Sequence, residues 1–421
     1  MYVQANDVVS TMWSLPRDSA LTLPPPLLSL ALQQVPEFIE STTNAHTWQH
    51  GMADAALEMN LTVQWCYATP TDVLASLEMP AVTNFRVSMD FCYGHSWDVG
   101  VSSLIVWAAG SFPSKDTLWT TNNGRFAVPG CNWAPDHETP AAALHVVVAL
   151  MTTGPVGISD MLNGTNVTLI QRAIRADGTL LKPAKPLTSI DSALAAGHGT
   201  YGTGAVTGTA ERPWTVSVGA ALTAPQGNIY HTYSASNGTS STGIPASGSV
   251  SAYYFVSFKM QSPFPVAAGD FYPPLPPGTA LVTRAFGDGV GCSDGASADT
   301  CVTFVSADAA AIFTAPTSDH SNVTGGTDYA PVVTTVWPVC ASGWVLLGDL
   351  SKYVAVSSQR FGAVTCTPQG VTATVTGTSG ERIAVSAVRP AAGRSDGGKH
   401  EVHIVQVTIP ASGQFPLVLS S

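Results

Sequence analysis

Charged side chains are scarce in this sequence. Of 421 residues, 17 are Lys or Arg and 28 are Asp or Glu, so 11% are charged and the formal net charge is -11. An average soluble protein is about 25% charged, which leaves hydroxyls, amides, Gly and Pro to solvate this surface. Cations are thinnest at the start, where Arg17 is the one Lys or Arg in the first 80 residues. The densest later stretch, residues 382–399, spreads four basic residues among Gly, Ser and Ala. A chain that holds nucleic acid sets cations against phosphates, so no direct nucleic-acid binding is expected. No Arg/Lys-rich amphipathic helix for an anionic membrane is present either. The sequence has no run of about 18 apolar residues, which excludes a transmembrane helix.

Cysteine is also sparse. The seven residues are too few and too scattered for a disulfide framework, and most are expected as buried thiols. Cys292 and Cys301, in GCSDGASADTC, have turn residues between them that would bring the sulfurs together, and a small hairpin with reduced Cys explains the spacing equally well. The opening MYVQANDVVSTMW has neither the basic nor the apolar region of a secretory signal, and no lipidation box is seen. The chain is therefore expected to be intracellular or processed. With 45% hydrophobic residues it is not a disordered chain, and its length allows two or three domains.

Hydrophobic patterning divides the chain. Residues 1–57 mix Pro with apolar residues, as in LTLPPPLLSLALQQVPEFIE, and are expected as an apolar arm lying on a domain or a neighbour, with a short helical pattern at 27–32. From residue 58 the period becomes two: in EMNLTVQWCYA, Leu61, Val63, Trp65 and Tyr67 point one way. The same alternation gives Phe85, Val87, Met89 and Phe91. Further extended runs fall at 102–108, 124–128, 143–151, 166–174, 214–222 and 250–260, separated by turn residues. Short helices are expected at 71–77 and 190–196. A Gly-rich insertion spans 175–212, and loops of that length are usually functional or mobile. Residues 263–279 read as a stiff Pro-rich linker. Beyond it, at 280–421, runs at 280–286, 301–305, 332–337, 344–347, 353–357, 371–376, 383–388, 402–409 and 415–419 have the spacing of a second β-sandwich. The fold class is all-β, with fewer than a tenth of residues helical.

Few residues gather into chemistry. His46 and His50 in HTWQH have the i, i+4 spacing of a metal-binding pair on a helix, but Thr47 and Trp48 stand where a zinc protease needs its Glu. His400, Glu401 and His403 read as a solvated strand edge. Gly197, Gly199 and Gly202 satisfy GxGxxG, yet no helix follows to receive a pyrophosphate, so no nucleotide is expected. No P-loop, GxSxG elbow or aspartyl motif occurs, and the carboxylates are too scattered to pair on paper, though distant ones can meet in space. Catalytic, cofactor and metal residues are therefore all expected to be absent. Five sequons, at Asn60, Asn163, Asn166, Asn237 and Asn322, are read as unused.

The order of arm, extended runs and short helix resembles the jelly-roll coat proteins of picorna-like RNA viruses. Asn84-Phe85-Arg86-Val87-Ser88-Met89-Asp90-Phe91 is similar to their second strand, Leu104 to Ala108 to the next, and Tyr253 to Phe258 with following prolines to the last. The resemblance covers about residues 58–262 and implies a jelly-roll β-sandwich there. Two departures stand out: no basic arm, and about 160 further residues. They imply an outer, solvent-facing protrusion or crown rather than a genome-contacting shell, and the Lys-poor composition is similar to that of fungal or protist RNA-virus proteins. On this reading the chain is a non-enzymatic structural component of a virion. Its partners are copies of itself or another capsid protein, with no membrane insertion and possible contact with a host receptor or glycan. Two other classes remain: a β-sandwich carbohydrate-active enzyme using Trp65, Trp97, Trp119, Trp133 or Trp214 as sugar platforms, though core packing explains those rings more cheaply, and a cell-surface adhesin.

Overall fold

The computed structural model describes residues 2–4, 36–41, 43–66, 68, 70–88, 99–121, 142–160, 162–195, 228–235, 250–258, 260, 262–286, 302–316, 331–389 and 401–420. Among the described residues the fold is mostly β, with strands at 38% and helices at 23%, several antiparallel sheets and no barrel. The all-β sandwich class read from the sequence holds, whereas the expectation of less than a tenth helix is overturned.

The molecule is organised on a six-stranded antiparallel sheet in the order β10-β9-β12-β7-β6-β5. Its members are β5 (Thr188–Ser189), β6 (Asn228–Ala235), β7 (Val250–Phe258), β9 (Ala280–Phe286), β10 (Thr303–Ser306) and β12 (Val332–Pro338). Every residue of β6 is buried, and so are the last seven of β7. Alternation along β7 sends Tyr254, Val256 and Phe258 into one core and Tyr253 and Phe255 into another. On β6, Tyr230 joins the first core while Ile229 and Tyr233 join the second. A sheet covered on both faces reads as continuous apolar sequence rather than clean alternation.

One face is covered by an N-terminal layer of parallel strands and helices. Strands β1 (Tyr2–Gln4), β2 (Thr62–Trp65), β3 (Val82–Arg86) and β4 (Phe112–Ser114) form a parallel sheet in sequence order. Parallel neighbours need crossover connections, and helices supply them. Helix α1 (Pro36–Ile39) leads into α2 (Asn44–Glu58), α3 (Pro70–Ala75) joins β2 to β3 through a 3₁₀ turn at Ser76–Glu78, and α4 (Gly100–Ala108) joins β3 to β4. Helices α5 (Ala142–Met151), α6 (Val167–Gln171) and α7 (Asp191–Ala195) follow.

Three expected strands are helical here. Across 99–108 the buried residues Val99, Ser102, Ser103 and Val106 fall at i, i+3, i+4 and i+7, which is a helical stripe. In 143–151 every residue from Leu144 to Met151 is buried, and a run apolar except for His145 carries no period by which to tell helix from strand. In 166–174, Asn166 caps α6 by accepting a hydrogen bond from the Leu169 amide at 3.1 Å. The helices expected at 71–77 and 190–196 are present as α3 with its 3₁₀ turn and as α7. The run at 353–357 is a turn rather than a strand. The runs at 124–128 and 214–222, and the pattern at 27–32, lie outside the described residues.

The expected domain boundaries also shift. Strand β7, before the Pro-rich segment, pairs with β12 beyond it, so 263–279 does not separate 58–262 from 280–421. The segment is itself packed: β8 (Phe264–Val266) pairs with β11 (Phe313–Ala315), and Phe271, Tyr272 and Leu275 lie in or against the second core. Prolines stiffened a segment that crosses a hydrophobic face instead of one spanning solvent. The separate sandwich is shorter than 280–421. It faces β13 (Val345–Gly348), β16 (Arg382–Arg389) and β17 (Glu401–Thr408) against β14 (Phe361–Thr367), β15 (Gly370–Thr376) and β18 (Gln414–Ser420), with Leu347, Val385, Val375 and Leu417 in one core. A Cys340–Cys366 disulfide, Cα atoms 5.4 Å apart, ties the end of the central sheet to β14. Cys292 and Cys301 lie outside the described residues.

Neither 1–57 nor 175–212 behaves as a free segment where it is described. Within the former, α2 packs on β2. Within the latter, residues 175–195 are folded and Leu181 and Leu187 are wholly buried. This stretch docks on the sandwich side: the Arg175 guanidinium donates to the Gln359 carbonyl at 2.7 Å, and Ser357 Oγ to the Lys182 carbonyl at 2.8 Å. Arg360, fully buried, donates to Glu381 at 2.6 Å, and the Glu381 carboxylate also accepts from the amides of Thr378 and Ala176. The glycine-rich residues 196–212 lie outside the description.

Helix α4 approaches the central sheet so closely that a Cβ on Gly100 would lie 2.0 Å from Ser189 Oγ and 2.7 Å from the Tyr230 ring. Gly51, within α2, has open space around it. Gly100→Ala is therefore expected to cost about 1–3 kcal/mol by overpacking, with little propensity gain at the first helical position. Gly51→Ala is expected to gain up to about 1 kcal/mol. Urea denaturation of both variants measures the pair, and equal effects would contradict the packing described.

Candidate metal centre

Helix α2 has the sequence NAHTWQHGMADAALE and buries Gln49, Ala53 and Ala56, spaced i, i+4 and i+7. Two alanines offer little apolar area, at roughly 0.8 kcal/mol per buried CH₂, so the partly buried Trp48 ring and polar contacts contribute to its seating. Buried Gln49 donates from Nε2 to Asp72 Oδ1 of α3 at 2.9 Å, which sets the rotation of α2 against α3. Phe38 of α1 lies against Trp48 at 5.7 Å between ring centroids.

That rotation brings His46 and His50 together one turn apart on the outer flank of α2. Their Nε2 atoms are 3.0 Å apart and their rings 4.2 Å between centroids. Glu78, the last residue of the 3₁₀ turn after α3, places Oε2 at 3.4 Å from His46 Nε2 and 3.5 Å from His50 Nε2. His50 is the most shielded of the three and Glu78 the most exposed. They are the one group of three or more His, Cys, Asp or Glu side chains with metal-ligating proximity among the described residues. The sequence showed the helical His pair. Its carboxylate comes from 28 residues beyond His50, across β2 and α3, where no motif built on local spacing reaches.

The other sequence candidates do not converge. His403, on the edge strand β17, faces the Trp344 ring at 5.6 Å. The GxGxxG glycines and His400 lie outside the described residues. Trp65 is a core residue, edge-on to Phe85 at 5.8 Å, which removes it as a sugar platform, and Trp119 packs against the same core. Trp97, Trp133 and Trp214 are outside the description. Three sequon asparagines have backbone roles: Asn60 and Asn163 adopt positive φ, which Asn tolerates better than most residues, and Asn166 is the cap of α6.

Buried cations form a second group that sequence reading missed, since nothing in the local pattern distinguishes a buried Lys from a solvated one. Lys115, next to β4, lies beside the Arg86–Asp116 ion pair, whose closest atoms are 3.5 Å apart. Burial, countered in part by Asp116, pulls the Lys115 ammonium down to about 7. Buried His145 of α5 is held well below its usual value by burial and then by the nearby Lys115 charge. Lys185 donates to Thr188 Oγ1 at 2.9 Å and sits 5.1 Å from the Trp107 ring centroid and 4.8 Å from that of Tyr272. Burial lowers it to about 8 against a raising contribution from Asp191. Lys185 thereby joins α4 and the Pro-rich segment at one point beside the central sheet.

A comparison of the chain with known protein families finds no match, and no curated protein is similar to it in sequence.

The buried lysines set a direction for stability against pH. A lysine whose folded pKa lies below its unfolded value of about 10.4 binds fewer protons when folded, so stability rises with pH across that interval. The interval runs upward from about 7 for Lys115 and about 8 for Lys185. Burial pushes Tyr233 and Tyr254 up to about 12, so their contribution is lost as pH rises above the unfolded tyrosine value of about 10. Unfolding free energy is expected to climb between pH 7 and 9.5, by at most about 1.4 kcal/mol per pH unit for each lysine, and to fall beyond pH 10. Lys115→Met should flatten the climb, and urea titrations across this range measure it.

Proposed function

We propose that this chain is a non-enzymatic structural component of a virus particle, on its outer, solvent-facing side, associating with copies of itself or with another coat protein. The observation that carries the reading is the edge of the C-terminal sandwich. Strand β17 pairs with β16 through eight consecutive residues without a bulge, and no other described strand lies on its far side. It contains neither Lys nor Pro, the usual guards of a strand edge, and Ile404 on it is exposed. Such an edge is suited to strand addition by a second chain.

Two further features support the reading. Several of the described cations are spent on internal contacts, as at Lys115, Lys185 and Arg360, and a net charge of -11 opposes contact with packaged phosphate. Strand β7, which the coat-protein resemblance placed last in its domain, is the most buried strand of the central sheet apart from β6. Leu104 to Ala108, compared above with a coat-protein strand, lies in α4, so the reading rests on the edge and the charge instead of a strand-by-strand match.

Sedimentation velocity and negative-stain electron microscopy of the purified chain test it. The wild type is expected to form concentration-dependent multimers or regular particles. Ile404→Lys should weaken them while leaving folding stability within about 0.5 kcal/mol, because the side chain is on the surface. A wild-type monomer at high concentration, or turnover in a glycoside-hydrolase panel, would overturn the reading.

A further inference from the structure

We propose that His46, His50 and Glu78 form a Zn²⁺ site that clamps α2 onto the turn following α3. The three ligand atoms stand 3.0, 3.4 and 3.5 Å apart. A circle through them has a radius of about 1.9 Å, so an ion about 0.7 Å out of their plane stands roughly 2.05 Å from each, the Zn–N and Zn–O bond length. In a regular tetrahedron the metal lies one third of a bond length from the plane of three ligands, which is again about 0.7 Å for that bond. The three donors thus occupy three corners of a tetrahedron.

The donor set selects the ion class. Two imidazole nitrogens with a single carboxylate oxygen suit a borderline transition ion, whereas Ca²⁺ and Mg²⁺ call for oxygen-rich shells. With both imidazoles in the Nδ1–H tautomer, all three atoms offer a lone pair and stand within 3.5 Å of one another. One proton shared between the imidazoles satisfies only that pair, while a cation at the centre satisfies all three at once. The fourth corner faces solvent, since Glu78 and His46 are well exposed, and water fills it. The clamp adds to what holds α2, whose seating rests on buried Gln49, two buried alanines and the partly buried Trp48 ring.

The full chain, stripped with a chelator and dialysed, is titrated with Co²⁺ as a spectroscopic stand-in and then with Zn²⁺. One Co²⁺ per chain should develop the intense visible absorption of four-coordinate cobalt, and Zn²⁺ should abolish it. Saturating Zn²⁺ should raise Tm by about 3 °C and slow amide exchange in residues 44–58. His50→Ala should remove these responses. Glu78→Gln should weaken binding by about tenfold or more. The Glu78 variant decides the matter if the His50 variant misfolds, because so exposed a side chain is dispensable for folding. Tetrahedral cobalt bands that survive unchanged in Glu78→Gln, or a wild type that develops none, would overturn the site.

Discussion

A sheet that is buried on both faces dictates most of this architecture. Strands β6 and β7 carry Tyr, Phe, Ile and Val to both sides, and neither face can be left to water. Helices α2 to α6 and the disulfide-tied sandwich side serve the Tyr254 side, where Tyr254 accepts a hydrogen bond from the Val356 amide at 3.0 Å. The Pro-rich segment and the β8–β11 pair serve the Tyr253 side, where Tyr253 donates to the Pro273 carbonyl at 3.1 Å. Segments that look independent in sequence are thereby recruited as coverings, and the cost of exposing about 150–250 Å² for each aromatic is reason enough for them to stay in place.

The low charge count and the buried cations belong to one arrangement. With few charges, the chain places several inside, where each needs a ring, a carbonyl or a carboxylate to offset desolvation. Lys185 between two rings and Arg360 on Glu381 and the Thr376 carbonyl meet that need with partners from distant parts of the sequence. A buried pair of this kind contributes little net stability but is expensive to break. Such contacts therefore fix which segments meet more than how tightly they hold.

What sequence reading captured follows physical lines. Strands with one polar face, such as 62–65, 371–376 and 383–388, declare themselves by alternation. Strand β6, NIYHTYSA, went unrecognised because burial of both faces erased its period, and α5 was taken for a strand for the same reason. The His46–His50 pair was visible because helical neighbours are also near neighbours in sequence. Glu78, Glu381 and the Cys340–Cys366 bridge were not, since each joins segments that only the tertiary fold brings together.

The position of β12 within the central sheet has a consequence for biosynthesis. It lies between β7 and β9, both made earlier, so the sheet is open along its middle until residue 338 has left the ribosome. From the end of β7 that is a wait of about 4–16 s at ordinary translation rates. Throughout that interval an edge rich in Tyr, Phe and Val has no partner of its own chain, and protection of the nascent polypeptide rests on the cell's chaperones.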